Sequence, residues 1–406
     1  MAKFPVPTPI FDTLDNLSNA LKQKLNTPIT SAKKDLKVAY EFLKQYDGNK
    51  STFNCYRKEI ERFLQWSWLL QKKSLLKLKR DDIESYVKFC IKPPKSWITL
   101  KKNPKFINQN ESRIPNHEWR PFVVTLPKGS KEELNKNIYK PSQKAIHEIF
   151  VALGSFYNYL NAEGYMETNP IQAIKQKSKF IRKSQTSAPI RRLSELQWKY
   201  VINTAKDMAL ENPNKYERTL FIISALYLMY LRVSELVESD RWSPQMNHFY
   251  KDSYNNWWFK TVGKGNKERS IAVNDDMLSA LKRWRCHLNL TPALPAPDDK
   301  FPLISKLRGK GNINDTKSIY LIVQHCFNAA AEKLKRNKKY EEAKTLIQSS
   351  SHWLRHTGIS DSINKFDRPI AHVRDDAGHA SITTTDKYND ITLVERHASS
   401  KNNKIE

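Results

Sequence analysis

Residues 352–390 read HWLRHTGISDSINKFDRPIAHVRDDAGHASITTTDKYND. His352 and Arg355 stand at i and i+3, which puts them on one face of a helix, and the serines Ser349, Ser350 and Ser351 ahead of them offer N-cap chemistry. His379 follows Gly378, and Tyr388 lies nine positions further on. Each has an ordinary explanation. A His-x-x-Arg pair occurs by chance on many helices, and a tyrosine is commonly a core residue with a wet tip. What the stretch does depends on what the rest of the chain brings to it.

Working outward, helical patterns precede it at about 275–290 and 316–337. The run NNWWFKTVGKGNKERSIAVN, residues 255–274, holds two β-rich segments around a Gly-Lys-Gly-Asn turn and predicts a hairpin. Lys264 sits at its tip, with Lys267 beside it. An exposed lysine in a turn is ordinary, but a hairpin tip can also deliver an ammonium into a groove. YERTLFIISALYLMYLRVSELVES, residues 216–239, is apolar nearly all round and predicts a buried helix ending near Arg232. An arginine there is costly without a partner, and Glu235 lies within reach. Ser194 and Gln197 make a capping box that opens this half.

The first half is helical as well. Residues 51–72 carry Phe53, Tyr56, Ile60, Phe63 and Leu64 at helical spacing, and a further helix starts near Asp81. PSQKAIHEIFVALGSFYNYLNAEG, residues 141–164, opens on Pro141 and Ser142 and closes on Gly164, with a stripe of Ile146, Ile149, Phe150, Leu153, Tyr157 and Leu160. Residues 99–141 interrupt this bundle without a clear period. The chain therefore divides into 1–174, a basic linker 175–192 and 193–406, mainly α with a small β hairpin.

Lysine and arginine number 69 against 42 acidic residues, a formal charge of +27. A polyphosphate or an anionic membrane attracts such a chain, and basic residues spread along its length favour nucleic acid. Lys175, Lys177, Lys179, Arg182, Lys183, Arg191 and Arg192 crowd the linker with no acid among them. They repel one another unless an anion lies alongside, which makes them candidate contacts to a DNA backbone. No apolar run is long enough to span a bilayer, and MAKFPVPTPIFDTLDN has no signal pattern, so a cytoplasmic protein is expected. Cys55, Cys90, Cys286 and Cys326 form no metal-ligand spacing and read as reduced thiols.

Taken together, Arg232, Lys264, His-x-x-Arg, Gly-His and Tyr388 supply what attack on a phosphodiester needs without a metal or cofactor. Guanidiniums clamp the non-bridging oxygens, a lysine protonates a leaving oxygen, and a histidine assists the proton at a tyrosine nucleophile. YLRVSEL (230–236), VGKGNKERSIAV (262–273), HWLRHTG (352–358) and GHASITTTDKY (378–388) resemble, in order, the signature blocks of the tyrosine recombinase, or phage integrase, family. The resemblance covers roughly residues 190–395. It implies a two-domain DNA clamp, with an N-terminal helical core-binding (SAM-like) domain and a C-terminal α-rich catalytic domain.

It also implies that Arg232 and Arg355 bind the phosphate, Glu235 supports the site, Lys264 is the general acid, His352 and His379 are the site histidines, and Tyr388 is the nucleophile. The activity implied is site-specific recombination of duplex DNA through a 3′-phosphotyrosyl intermediate, serving integration, excision or transposition of a mobile element. The working form would be a synapsed homo-tetramer, with the tail residues Ile391, Leu393 and Val394 docked on a neighbour. Three departures stand out, one of them a longer segment before His352, AEKLKRNKKYEEAKTLIQSSS (331–351). Tyr230 occupies a position where the family commonly has glycine, and Asp375 and Asp376 precede Gly-His where apolar residues are usual.

Three alternatives follow from the same residues. A type IB topoisomerase shares the phosphotyrosine chemistry, a non-catalytic DNA-binding protein could keep the fold alone, and a metal nuclease would use Asp375, Asp376, His379 and Asp386.

Overall fold

The computed structural model describes every residue except 1–3, 26, 110–111, 127–131, 177–179, 181–190, 264, 307, 390–396, 398–399 and 401–406, and leaves out the side chains of 173, 175 and 176. The chain is mainly helical with small sheets and forms two compact units, Met1–Ser187 and Ala188–Glu406.

In the first unit, helices α1 (Ala32–Lys44), α2 (Lys50–Trp66), α3 (Arg80–Ile91), α4 (Gln143–Ala162) and α5 (Pro170–Gln176) surround one core. The cap expected at Ser142 forms, its Oγ accepting from Ala145 N at 3.1 Å. The α4 stripe is buried as its spacing requires, from Ile146 to Leu160. It meets Phe42, Phe63 and Tyr86, and each such side chain fully removed from water contributes about 1.5–3 kcal/mol.

The aperiodic stretch holds two short pairings. β1 (Ile98–Thr99) runs parallel to β4 (Phe122–Val123), and β2 (Phe106–Gln109) forms a hairpin with β3 (Ser112–Pro115). Charge ties it to the helices: Lys105 Nζ lies 2.5 Å from the buried Glu61 carboxylate of α2 and over the ring of the buried Trp119. Arg113 pairs with Asp12. Phe122 and Val124 also enter the core, but strands of two to four residues are too short to show an alternation.

In the second unit, the capping box at Ser194 and Gln197 opens α6 (Glu195–Glu211), followed by α7 (Pro213–Leu228). Strands β5 (Phe249–Lys251), β6 (Trp257–Val262) and β7 (Glu268–Ala272) form an antiparallel sheet in that order, so the expected hairpin carries a third strand. Phe249, Phe259 and Ile271 are in cross-strand register and point inward. Then come α8 (Asp275–His287), α9 (Thr316–Arg336), α10 (Tyr340–Gln348), α11 (Ser351–Asn364), α12 (Ile370–Ala377) and α13 (Ile382–Asp386).

Two local expectations need correction. α7 ends at Leu228, short of Arg232, because Tyr230 takes a left-handed conformation with φ +51° that no helix continues through. Ser350 occupies the N-cap of α11 but makes no side-chain cap bond, and Ser349 Oγ donates instead to Thr345 O at 2.9 Å.

α11 packs against α7 through Gly358. A Cβ there would stand 2.0 Å from Tyr227 O, so only glycine allows the two backbones this close. Gly358→Ala should lower stability by about 3 kcal/mol or more. Denaturant unfolding of the full chain checks this, and an unchanged midpoint would contradict the packing described.

Candidate active site

The site is assembled from four segments of the second unit. The left-handed turn at Tyr230 aims its carbonyl at α11, and Arg232 follows at the start of a short 3-10 turn. There Arg232 N donates to Glu235 Oε2 at 2.8 Å and Nη1 donates to Oε1 at 3.1 Å. Glu235 is 1% exposed. Its main partner is Arg269 of β7, whose Nη1 and Nη2 donate to the two carboxylate oxygens at 2.7 and 2.8 Å, the fork geometry of the strongest ion pairs. Burial opposes the charge on Glu235. The Arg269 bonds and then Arg232 outweigh it and hold the carboxyl below its ordinary value.

Arg269 Nε reaches on to Asp376 O at 2.9 Å, joining the sheet to α12. This approach needs Gly378, which ends α12 at φ +63° and whose Cβ would stand 2.9 Å from Arg269 Cδ.

Arg355 enters from α11, almost fully buried. Nη1 donates to Tyr230 O, and Nη2 donates to Ala377 O at 2.6 Å and to His379 Nε2, 3.1 Å away. Burial first, then the neighbouring Arg232, pull its pKa down to about 9, as expected where positive charge is in surplus. His379 Nδ1 lies 2.9 Å from Thr385 Oγ1.

Tyr388 follows α13. Its backbone is fixed by Tyr388 N to Thr385 O at 3.0 Å and by Asn364 Nδ2, which donates to Tyr388 O at 2.7 Å. The ring is 4% exposed and packs with Tyr230, Ile359, Ile363, Val373 and Ala377. It stacks on His379 with centroids 6.0 Å apart, while the hydroxyl is hydrogen-bonded to His356 Nδ1. Burial raises the phenol's pKa, offset in part by Arg355 and Arg232.

The structure thus brings Arg232, Glu235, Arg355, His379 and Tyr388 together, with His352 exposed at the edge of the group. Lys264 lies outside the described residues. So do Lys177, Lys179, Arg182 and Lys183 of the linker and the tail residues Ile391, Leu393 and Val394. Lys175 belongs to α5, Arg191 is exposed, and Arg192 bonds Ser360 Oγ on α11.

Two residues were missed. Arg269 was hidden in a strand, where a charge reads as a solvent-facing position. His356 was legible as a second histidine one turn after His352 on the same helix.

Tyr230 and Asp376 share one partner. Arg368 donates to Tyr230 Oη at 2.9 Å through Nη1 and to Asp376 Oδ2 at 2.7 Å through Nη2. Asp376 is buried and also accepts from Ala272 N at 3.2 Å, while the exposed Asp375 pairs with Arg374. Asp375 and Asp376, two of the carboxylates of a metal-nuclease reading, are therefore engaged elsewhere, and among the described residues no group of three or more His, Cys, Asp or Glu could hold a metal ion.

His356 and His379 are both held neutral, with pKa values lowered from 6.5 to about 4, by burial first and then by neighbouring rings and guanidiniums. As pH falls below 6.5 the unfolded chain therefore takes up protons that the folded chain refuses. Stability from these rings is complete above 6.5 and is lost progressively down to about 4. Urea midpoints across that window should show this slope, reduced in His379→Gln, and identical slopes would contradict the assignment. The Glu235 contribution is lost only below the ordinary carboxyl value of 4.5.

The chain matches the model of the phage integrase family over residues 191–393, half of its length. It is 27% identical over 241 residues to tyrosine recombinase XerC of Caldanaerobacter subterraneus subsp. tengcongensis, covering 59% of this chain and 57% of that protein. The chain thus spans less than two thirds of the relative's length. Two solved structures are similar in fold. One is the XerH site-specific recombinase bound to palindromic difH substrate in a post-cleavage complex (TM-score 0.54, 14% identity, 95% of this chain and 94% of that one). The other is a variant of the Tn1549 transposon integrase in complex with a circular intermediate DNA (TM-score 0.51, 17% identity, 90% and 98%). With half of its length matched to the family model, the chain belongs to the phage integrase family.

Proposed function

We propose that the chain is a site-specific DNA recombinase that cuts and rejoins duplex DNA through a 3′-phosphotyrosyl intermediate. The observation that carries the reading is the convergence of a buried, hydrogen-bonded tyrosine, Tyr388, with two guanidiniums, Arg232 and Arg355, from segments far apart in sequence.

Three of Arg355's five N–H donors are spent on the protein, which fixes its plane and leaves donors for a phosphate. Arg232, half-buried at the mouth, supplies the second fork. Both favour the extra negative charge of the pentavalent transition state over the ground-state diester.

In this mechanism Tyr388 Oη attacks the scissile phosphorus and the 5′ oxygen departs, taking a proton from Lys264. A 5′-hydroxyl on a partner strand then attacks the phosphotyrosine. Bond energy is kept in the covalent link, so the residues need no nucleotide. His379, oriented by Arg355 and Thr385, flanks the phosphate, and His352 completes the group from the edge. Glu235 holds Arg232. Pairing of two DNA sites calls for several copies of the chain, and a homo-tetramer is proposed as the working form. The relatives' names, a transposon integrase among them, support a role in moving a genetic element.

The test is covalent capture. The full chain is incubated, in excess EDTA, with a pool of nicked duplexes of randomised sequence, and SDS-resistant adducts are recovered and sequenced. Wild-type protein should form adducts, and Tyr388→Phe should lower their yield by at least about a thousandfold while still binding duplex with a steep salt dependence. No wild-type adduct, or equal adduct from Tyr388→Phe, would contradict the reading. Relaxation of supercoiled plasmid without joining of two recovered sites would reassign the chain as a topoisomerase.

A further inference from the structure

Three histidines surround the phenol, and their hydrogen bonding separates their roles. His379 has both ring nitrogens engaged. A guanidinium can only donate, so Nε2, facing Arg355 Nη2 at 3.1 Å, is the unprotonated nitrogen, and Nδ1 carries the hydrogen toward Thr385 Oγ1. Its lone pair is therefore taken. His352 lies at the exposed start of α11 with its ring edge-on to that of His356, centroids 4.3 Å apart, and among the described residues no hydrogen bond joins it to Tyr388. Among the described residues, His356 is the one whose side chain hydrogen-bonds that oxygen, through Nδ1, with its ring 5.5 Å from that of Tyr388.

We propose that His356 is the general base: its Nδ1 takes the proton from Tyr388 Oη as that oxygen attacks the phosphorus. The step rests on the recombinase reading above. The Oη–H bond breaks and Nδ1–H forms, Oη–P forms and the phosphorus–5′ oxygen bond breaks, and that oxygen takes the proton of the Lys264 ammonium. In the rejoining step the incoming 5′-hydroxyl gives its proton to the amine of Lys264, and Nδ1 returns its own to the departing phenolate.

The groups facing His356 are His352 and Arg355 on α11 and His379 and Tyr388 from the segment after α12. Burial first, then the His352 ring, the Arg355 guanidinium and the His379 ring, keep the resting ring in its free-base form. A phosphodiester entering between Arg355 and Arg232 cancels part of that field and makes the ring more basic at the moment the proton must move.

The experiment is single-turnover cleavage of a nicked duplex recovered by the covalent selection. It compares the wild-type chain with His356→Gln, His356→Ala and His352→Ala, each across alkaline pH and with added imidazole. Both His356 variants should cleave at least about a hundredfold more slowly with unchanged duplex affinity by gel shift. Imidazole should restore much of the His356→Ala rate, and rising pH should accelerate both variants more than wild type. A His356 variant within about threefold of wild type, given the roughly hundredfold effect expected of a base, overturns the proposal. So does a loss that neither imidazole nor alkaline pH relieves, which would leave His356 only holding the tyrosine in place. Imidazole rescue of His352→Ala but not of His356→Ala would move the role to His352. In all three cases wild-type adduct formation stands, whereas its absence on every duplex would remove the recombinase reading and this step with it.

Discussion

A single buried carboxylate organises the second unit's site. Glu235 accepts from Arg269 at 2.7 and 2.8 Å and from the side chain and backbone of Arg232, so one anion holds two guanidiniums while a third, Arg355, stands nearby. Three such cations against one carboxylate leave a surplus of positive charge in a partly dry environment. Among the described residues, backbone carbonyls, those of Tyr230, Ala377, Gly378 and Asp376, and the His379 ring accept from the same guanidiniums. Without Glu235 the cations would repel one another, and with it they are held in place as the proposed receptor for a phosphate. In the proposed reaction such a prebuilt site would leave little reorganisation to supply.

The same constraint explains how the chain tolerates its unusual residues. The left-handed turn that points the Tyr230 carbonyl at Arg355 costs a non-glycine residue about 1–2 kcal/mol. Here the tyrosine ring is packed with Tyr388, and its hydroxyl bonds Arg368 and Ser362. The buried Asp376, costly as an isolated charge, is neutralised by the same Arg368. One arginine thus braces both backbone segments whose carbonyls orient Arg355 and Arg269. A glycine at 230 and an apolar residue at 376 would need no such brace.

Legibility followed the physics of each signal. Caps and stripes are local, so Ser142, Ser194 with Gln197, and the α4 face were readable from spacing. The turn between β6 and β7 was readable from its glycines, whereas β5 was not, because three residues carry no period. Of the site, Arg232, Glu235, Arg355, His379 and Tyr388 were named from ordered motifs. Arg269 escaped because a charged strand residue is ordinarily solvated, and only the fold turns it onto Glu235. Likewise, Arg368 and Asp376 are charges eight positions apart, and only the bend into α12 brings them together. The segment 99–141 was opaque because its buried apolar residues, Phe106, Trp119, Phe122 and Val124, sit in or around strands of two to four residues, too short to show a period, and the ion pairs Glu61–Lys105 and Asp12–Arg113 supply the rest of its anchoring.

Arg232 and Arg355 are proposed to form a preorganised receptor for a phosphate. The most direct measurement is the thermal midpoint of the full chain in rising inorganic phosphate at constant ionic strength, wild type beside Arg232→Gln. The account predicts a saturable rise for wild type and a distinctly smaller one for the variant, because a ligand bound by the folded state alone raises its stability. Parallel curves, or no rise in wild type, would contradict it.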